Sequence, residues 1–212
     1  MLKINEIFRS LQGESSHAGL PCVFIRLTGC NLRCRYCDTE YAFYDGEMMS
    51  VEQVLSAVDS HGTLLVEITG GEPLLQHEAY PLMEKLLEKG YRVLLETGGA
   101  LSIKDVPKAI VRIMDFKCPG SGEESKNDYD NINHLASGDE VKFVILDRMD
   151  YEWSREMVRR YSLDHKCHVL FSPVYGKLNL KDLAGWVLED KLDVRLQTQL
   201  HKIIWGKDAI GV

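Results

Sequence analysis

Three of the six cysteines stand within one short stretch, at Cys30, Cys34 and Cys37. Three and then two intervening residues allow a loop to curl, so that the three sulfurs point at one metal centre. A structural zinc site has four protein ligands, and no fourth ligand stands at the usual spacing. A [4Fe-4S] cluster also takes four ligands, normally all cysteine. The spacing therefore predicts a cluster with one iron left open to a ligand from outside the protein.

Two other interpretations of these cysteines stay open. Cysteine is often buried, so the three thiols could simply be packing groups. A zinc ion completed by a distant histidine, such as His17 or His61, also agrees with the residue types. The residues between and beside the cysteines are polar, which favours a loop over a core strand.

The other cysteines, Cys22, Cys118 and Cys167, are scattered singly, and we predict that they pack in the core. An even number of cysteines invites a disulfide interpretation. The tight group of three, in a cytosolic setting, favours metal binding over disulfide bonds.

Length and composition predict one soluble domain over residues 1–212. The chain is 45% hydrophobic and 27% charged, as is ordinary for a globular protein. Its apolar runs are far shorter than the ~20 residues that span a bilayer, and the N-terminus lacks the apolar core of a signal peptide. We expect a cytoplasmic protein that does not enter a membrane.

The charge balance favours a small-molecule substrate over nucleic acid. A net charge of -7 argues against a broad phosphate-binding surface, which needs clustered Lys and Arg. A local basic patch at Arg33 and Arg35 lies inside the cysteine loop, where an acidic electron-donor protein could dock.

The elements that must position the cysteines alternate between strand and helix. A short strand is predicted within residues 4–16, and further strands at 22–28, 63–69, 91–97, 110–116, 140–146, 168–172 and 194–198. Ser50 and Gln53 form a capping-box pattern at the start of a helix, and Gly90 ends a second helix. Further helices are predicted at 150–161 and 180–188, and an exposed loop at 120–130.

This alternation predicts an α/β fold with a mainly parallel sheet. Beside the short first strand we count about six or seven strands, which are too few for the eight of a closed barrel, so we expect an incomplete, open-sided barrel. In such sheets the loops that leave the carboxyl ends of the strands line the pocket. The cysteine loop and several other polar turns follow strands in this way.

The turn Gly70-Gly71-Glu72-Pro73 directly follows a predicted strand. Two glycines allow the backbone to approach a ligand closely, and Glu72 can hold an ammonium group. Alone, such a turn is ordinary; its place at a strand end after the cysteines favours a binding role.

The cysteine spacing resembles that of the radical S-adenosylmethionine (SAM) enzymes. The longer runs Leu11-Gln12-Gly13-Glu14, Gly19 to Gly29 and Cys37-Asp38-Thr39 resemble the 7-carboxy-7-deazaguanine synthase family. The resemblance covers nearly the whole chain and implies a partial TIM-like barrel of the radical SAM type. One difference is Ser15, where the family commonly has glycine.

The resemblance implies SAM, bound to the open iron of the [4Fe-4S] cluster, and Mg²⁺ as cofactors. By analogy, Cys30, Cys34 and Cys37 hold the cluster and Thr39 the Mg²⁺. The predicted SAM-binding residues are Gly70, Gly71, Glu72, Glu96, Thr97, Gly98, Lys117 and Ser172. Lys142 is a further candidate for nearby carboxylates, and a structural role is equally open for both lysines.

The family also implies a carboxylated pterin substrate, bound by Gln12, Glu14, Arg26, His201 and Val212. An acid suits the guanidine-like edge of the pterin, and an arginine suits its carboxylate. Alternatives stay open: an ion pair of Arg26 with Glu14 or Glu40, a merely packed His201, and a helix-capping role for Thr39.

The implied reaction is a radical ring contraction of 6-carboxytetrahydropterin to 7-carboxy-7-deazaguanine, with loss of ammonia and SAM regenerated. A homodimer and an electron donor such as flavodoxin or ferredoxin are implied as well. Two rival functions remain at this point. They are a glycyl-radical-enzyme activase, which needs a protein partner, and an iron-sulfur electron carrier, which needs no pocket.

Overall fold

A single nine-stranded sheet organises the chain in the computed structural model, which describes residues 1–212. The strands are β1 (Leu2–Leu11), β2 (Pro21–Leu27), β3 (Glu47–Met49), β4 (Leu65–Gly70), β5 (Arg92–Thr97), β6 (Val111–Phe116), β7 (Glu140–Ile145), β8 (His168–Pro173) and β9 (Arg195–Leu196). Their spatial order is β3-β1-β2-β4-β5-β6-β7-β8-β9.

Seven neighbouring strands, β2 and β4 to β9, run parallel. In contrast, β1 pairs antiparallel with both β2 and β3. The two edge strands, β3 and β9, do not pair with each other, so the barrel stays open. The predicted α/β fold with a mainly parallel, incomplete barrel is confirmed. The expected strand number was too low: the sheet has nine strands, and the short antiparallel β3 was not predicted.

Five helices complete the fold: α1 (Val51–Asp59), α2 (Ala79–Glu88), α3 (Arg148–Tyr161), α4 (Leu180–Glu189) and α5 (Leu200–Ile204). The capping box of Ser50 and Gln53 is present at the start of α1. Gly90 has a left-handed φ of 84° just after α2, as its helix-ending role requires. None of the helices is long and apolar enough to cross a membrane.

The main core lies between the helices and the outer face of the sheet. It contains 37 buried residues, among them Val66 and Ile68 of β4 and Val54 and Val58 of α1. Each fully buried side chain of this size contributes roughly 1.5–3 kcal/mol. Cys118 and Cys167 belong to this core and Cys22 to a smaller one, and all three are free thiols, as predicted.

The inner face of the sheet changes character along the strands. Near its amino-terminal side a small apolar cluster contains Phe24, Leu65, Leu94 and Ile113. Toward the carboxyl ends of the parallel strands the inward-facing residues are polar or charged: Arg26, Thr69, Glu96, Asp115, Lys142 and Ser172. Because the strands are parallel, these side chains meet at one rim.

Some local predictions were wrong. The first strand has ten residues rather than being short, and the last has two residues instead of spanning 194–198. The segment 120–130 is not simply an exposed loop: it contains short 3-10 helices, and Ser121 and Asn127 are buried. The Ser121 carbonyl accepts a hydrogen bond from the Arg35 amide at 2.9 Å, so this segment supports the cysteine loop.

Candidate active site

A cavity of about 700 Å³ opens at the polar rim of the sheet. All but one of the predicted site residues line it. These are Gln12, Glu14, Arg26, Cys30, Cys34, Cys37, Thr39, Gly70, Gly71, Glu96, Thr97, Gly98, Lys117, Ser172, His201 and Val212, with Lys142 beside them. The structure thus brings residues from both ends of the chain to one cavity. The predicted site residue that does not line it is Glu72.

The three clustered cysteines are free, partly buried and on one wall of the cavity. The Tyr36 hydroxyl anchors their loop by donating to the Val144 carbonyl at 2.9 Å. Burial raises the pKa of the Cys34 thiol to about 11, so a thiolate there needs a compensating cation. No three His, Cys, Asp or Glu side chains converge on a single-ion site. Three thiols on a shared wall fit a [4Fe-4S] cluster in which three of the irons each take one cysteine sulfur.

Glu72 is fully buried and does not line the cavity. Its carboxylate accepts hydrogen bonds from the Gly98 amide at 2.7 Å, the Thr97 hydroxyl at 2.9 Å and the Leu74 amide at 3.0 Å. In this arrangement Glu72 braces the turn after β5, and the backbone of Gly70 and Gly71 faces the cavity in its place.

The same turn is joined to the cysteine loop through its backbone. The Glu72 amide donates to the Gly29 carbonyl at 2.7 Å, and the Gly71 amide donates to the Leu27 carbonyl at 3.2 Å. Gly29 directly precedes the first cluster cysteine. The two predicted motifs therefore form one unit, although 32 residues lie between Cys37 and Gly70.

Lys142 lies at the centre of a buried group of carboxylates on the inner face of the sheet. Its ammonium is 2.9 Å from Glu14 and 3.8 Å from Asp115, and it also pairs with Glu96. Burial, the largest single influence, would raise the pKa of Glu96. The charge and hydrogen bond of Lys142, with smaller contributions from Thr69 and Lys117, together hold that pKa below its usual range. Lys117 pairs in the same way with Asp115, at 3.0 Å.

Glu14 is held at both carboxylate oxygens. One accepts from Lys142, and the other accepts from the Gln199 amide at 2.9 Å. The next residue, Ser15, has a left-handed φ of 62°, the backbone region that favours glycine. The loop thus adopts, with serine, a backbone conformation that glycine would reach more easily.

The ion-pair partner of Arg26 is Glu6, at 2.7 Å, and neither Glu14 nor Glu40. Glu6 stands opposite Arg26 in the antiparallel pair of β1 and β2. The guanidinium also lies 5.9 Å from the centre of the Phe8 ring and 5.7 Å from that of Tyr41. The sequence analysis missed Glu6, because the antiparallel pairing of β1 with β2 was not predicted.

The segment after the last cluster cysteine is tied to α5. Asp38 accepts from the Lys202 ammonium at 2.5 Å and from the Gln199 amide at 3.1 Å. Partial desolvation opposes ionisation of Asp38, whose side chain is 48% exposed, but the ion pair with Lys202 lowers its pKa below the usual range. The Thr39 hydroxyl bonds to Asp38 at 3.0 Å and makes no helix-capping bond, so the capping alternative is wrong.

His201 contacts the loop that carries Glu14. The Leu200 amide donates to the Gly13 carbonyl at 2.8 Å. A Cβ atom on Gly13 would lie 3.0 Å from both the backbone nitrogen and Cγ of His201, and closer still to its ring nitrogen. Burial lowers the pKa of His201, so the imidazole is held neutral at physiological pH.

Replacing Gly13 with alanine is therefore expected to push α5 and His201 away from the cavity. If His201 binds substrate as the sequence predicts, we expect the substrate KM to rise about tenfold, with cluster content unchanged because the cysteine loop does not move. Steady-state kinetics with iron analysis measure both. Gly185→Ala, where an added Cβ meets nothing within 4 Å, is the matched control. An unaltered KM in Gly13→Ala would contradict the expected displacement.

Comparison with known proteins agrees with this geometry. Residues 24–117 match the family model of the radical SAM superfamily. A 7-carboxy-7-deazaguanine synthase from Koribacter versatilis is 49% identical over the full length of both chains. One from Chlorobaculum tepidum is 44% identical over all of this chain and 97% of its own.

The chain belongs to the 7-carboxy-7-deazaguanine synthase family. Its fold is shared with the crystal structure of QueE from Escherichia coli, at a TM-score of 0.79 and 23% identity over 94% of each chain. As a radical SAM enzyme of this family it uses a [4Fe-4S] cluster and SAM. The activase and electron-carrier alternatives are not favoured.

Proposed function

We propose that this chain converts 6-carboxy-5,6,7,8-tetrahydropterin to 7-carboxy-7-deazaguanine in deazapurine (queuosine) biosynthesis. The observation that carries the proposal is one cavity shared by three cysteines, a glycine turn and four polar side chains suited to a carboxylated pterin. Full-length similarity to synthases of this name supports it.

On the cofactor side, we assign the cluster to the three cysteines and SAM to the adjoining wall. When bound, the cluster and SAM supply a hydrogen-abstracting radical. Gly70 and Gly71 let the backbone approach the methionyl end, while Glu96, Thr97 and Gly98 line the place for the ribose and carboxylate. Lys117 and Ser172 complete that wall, and Glu72 acts from behind it by fixing the turn at Thr97.

On the substrate side, we assign Glu14 and Gln12 to the pterin edge, with His201 and Val212 closing the pocket. Arg26 keeps guanidinium nitrogens beyond its bond to Glu6, and these suit the substrate carboxylate. The Thr39 hydroxyl is the candidate protein ligand for Mg²⁺, which otherwise keeps waters and substrate oxygens. Asp38 orients Thr39 through their hydrogen bond.

We propose further that residues 1–212 form one domain, supported by the continuous sheet, and that the enzyme is a cytoplasmic homodimer. Its electron donor would be a flavodoxin or ferredoxin, for which Arg33 and Arg35 offer positive charge beside the cluster. Its net charge of -7 favours neither nucleic acid nor a membrane surface as a partner.

The decisive experiment is anaerobic reconstitution with iron and sulfide, followed by incubation with SAM, a reductant and 6-carboxytetrahydropterin. Mass spectrometry should detect 7-carboxy-7-deazaguanine, and omission of Mg²⁺ should slow its formation. The Cys34→Ala variant serves as the control that lacks a cluster ligand. Cleavage of SAM without the deazapurine would leave radical SAM chemistry and remove the proposed substrate.

The mouth of the cavity gives a separate prediction. Ile210, Gly211 and Val212 line it, so a tag appended after Val212 should raise the KM for the pterin. The same tag on the N-terminus is the control, because Met1 does not line the cavity. Identical kinetics for the two tagged proteins would remove Val212 from the substrate site.

A further inference from the structure

Glu67 is a carboxyl group on the cavity wall to which neither the sequence analysis nor the proposed reaction gives a role. It lies on the inner face of β4, is only 3% exposed, and lines the cavity. Its inward neighbour along the strand is Thr69, which hydrogen-bonds Glu96 at 3.1 Å. A buried acid in this position needs a partner.

The partner of Glu67 is Gln12. The side-chain amide nitrogen of Gln12 donates to a Glu67 oxygen, and its amide oxygen accepts from the Glu14 backbone amide at 2.7 Å. The two ends of a glutamine amide differ, one donating and one accepting. An acceptor at Glu67 therefore sets which way the amide points, and only that orientation holds the Glu14 amide.

We propose that Glu67 is a positioning residue for substrate recognition: it fixes the Gln12 amide, which in turn fixes Glu14 at the pterin edge. The proposal rests on the proposed function, because Glu14 is assigned there to the substrate. Three side chains then hold Glu14 by hydrogen bonds. Gln12 accepts from its backbone amide, Lys142 donates to one carboxylate oxygen and Gln199 donates to the other.

The electrostatics of the wall agree with a role that needs no charge on Glu67. Burial, followed by repulsion from Glu96, raises the pKa of Glu67 well above its usual range, although Lys142 opposes this. A neutral carboxyl keeps a carbonyl oxygen that can accept from Gln12. It also spares the wall a further negative charge beside Glu14, Glu96 and Asp115.

The test compares Glu67→Leu, which removes the acceptor at similar volume, with Glu67→Gln, which keeps a carbonyl oxygen. In Glu67→Leu the Gln12 amide has no acceptor to fix its orientation. We therefore expect the KM for the pterin to rise about tenfold, with kcat nearly unchanged. Glu67→Gln should restore the KM. Binding of the analogue 6-carboxypterin, followed by fluorescence anisotropy, should weaken and recover in parallel.

Asp139→Asn is the control for general destabilisation, because Asp139 is 2% exposed, pairs with Arg112 at 2.7 Å and does not line the cavity. It should lower thermal stability without changing pterin KM. A normal KM in Glu67→Leu, or an equal rise in Asp139→Asn, would overturn the positioning role. Loss of kcat in Glu67→Gln at unchanged KM would also overturn the positioning role, and would indicate that Glu67 transfers a proton. A wild-type enzyme without deazapurine product would instead overturn the proposed function.

Discussion

Gly71→Ala is expected to separate the glycine turn from the cysteine loop and to abolish most activity. A Cβ atom at this position would lie 2.6 Å from the Gly29 carbonyl carbon and 2.9 Å from the Cβ of Cys30, and closer still to the Gly29 oxygen. Backbone atoms cannot rotate away as a flexible side chain can. The variant must therefore shift the cysteine loop or the turn as a whole.

We expect this overpacking to lower the free energy of unfolding by an amount at the upper end of about 1 to 3 kcal/mol. A shift of the cluster relative to SAM by about 1 Å is expected to lower kcat on the order of a hundredfold. Thermal unfolding and single-turnover cleavage of SAM measure these two effects, and iron content shows whether the cluster is still bound. Gly138→Ala, where the new Cβ meets nothing within 4 Å, should behave as wild type. Full activity in Gly71→Ala would mean that the two motifs are not in contact.

Lys142→Met is expected to have a comparably large effect, on stability as well as activity. The substitution leaves Glu14, Glu96 and Asp115 without their shared cation in a buried setting. Breaking a buried ion pair from one side costs about 3 to 5 kcal/mol. Since Glu14 is also the assigned pterin ligand, substrate binding should fail together with stability.

The pH dependence of Lys142→Met gives a sharper test than the size of the loss. In the wild type the pKa of Glu96 is held low, so its stabilising contribution is present above the unfolded pKa and is lost only as pH falls through the folded pKa. Without Lys142, only the Thr69 hydrogen bond and the Lys117 charge oppose burial, and we expect the folded pKa of Glu96 to rise above the unfolded one. The folded variant then binds the extra proton, and raising the pH destabilises it.

Urea unfolding at pH 5 and pH 8 should therefore show a larger difference between wild type and Lys142→Met at pH 8. Lys85→Met is the matched control, because Lys85 pairs with Glu52 on the exposed outer surface. It should show little difference at either pH. A difference that is constant with pH would mean that Lys142 does not control the ionisation of these carboxylates.

The sequence predicted the parts of the site that depend on short-range spacing and on strand ends. The cysteine loop, the glycine turn and Glu96 to Gly98 each follow a parallel strand, and parallel strands deliver their carboxyl ends to one rim. Glu6 and Glu67 escaped prediction for a different reason. Their roles arise from cross-strand register and from a contact with Gln12, and neither leaves a local pattern in the sequence.

Glu72 shows where an assigned residue and its physical role differ. Its position in the motif was recognised, but burial and three hydrogen bonds direct its carboxylate to the turn at Thr97 and Gly98. A motif identifies which residues matter more readily than it identifies the atoms they contact. The partners of a buried carboxylate follow from tertiary packing.

Different parts of the cavity wall are synthesised at different times. The cysteine loop, the glycine turn and the turn at Thr97 all lie within residues 30–98, whereas α5 and residues 207–212 form the facing wall of the cavity. During synthesis these three segments leave the ribosome long before α5 and residues 207–212 exist. A growing chain thus carries its three thiols, still uncovered by α5, for as long as translation of the second half takes.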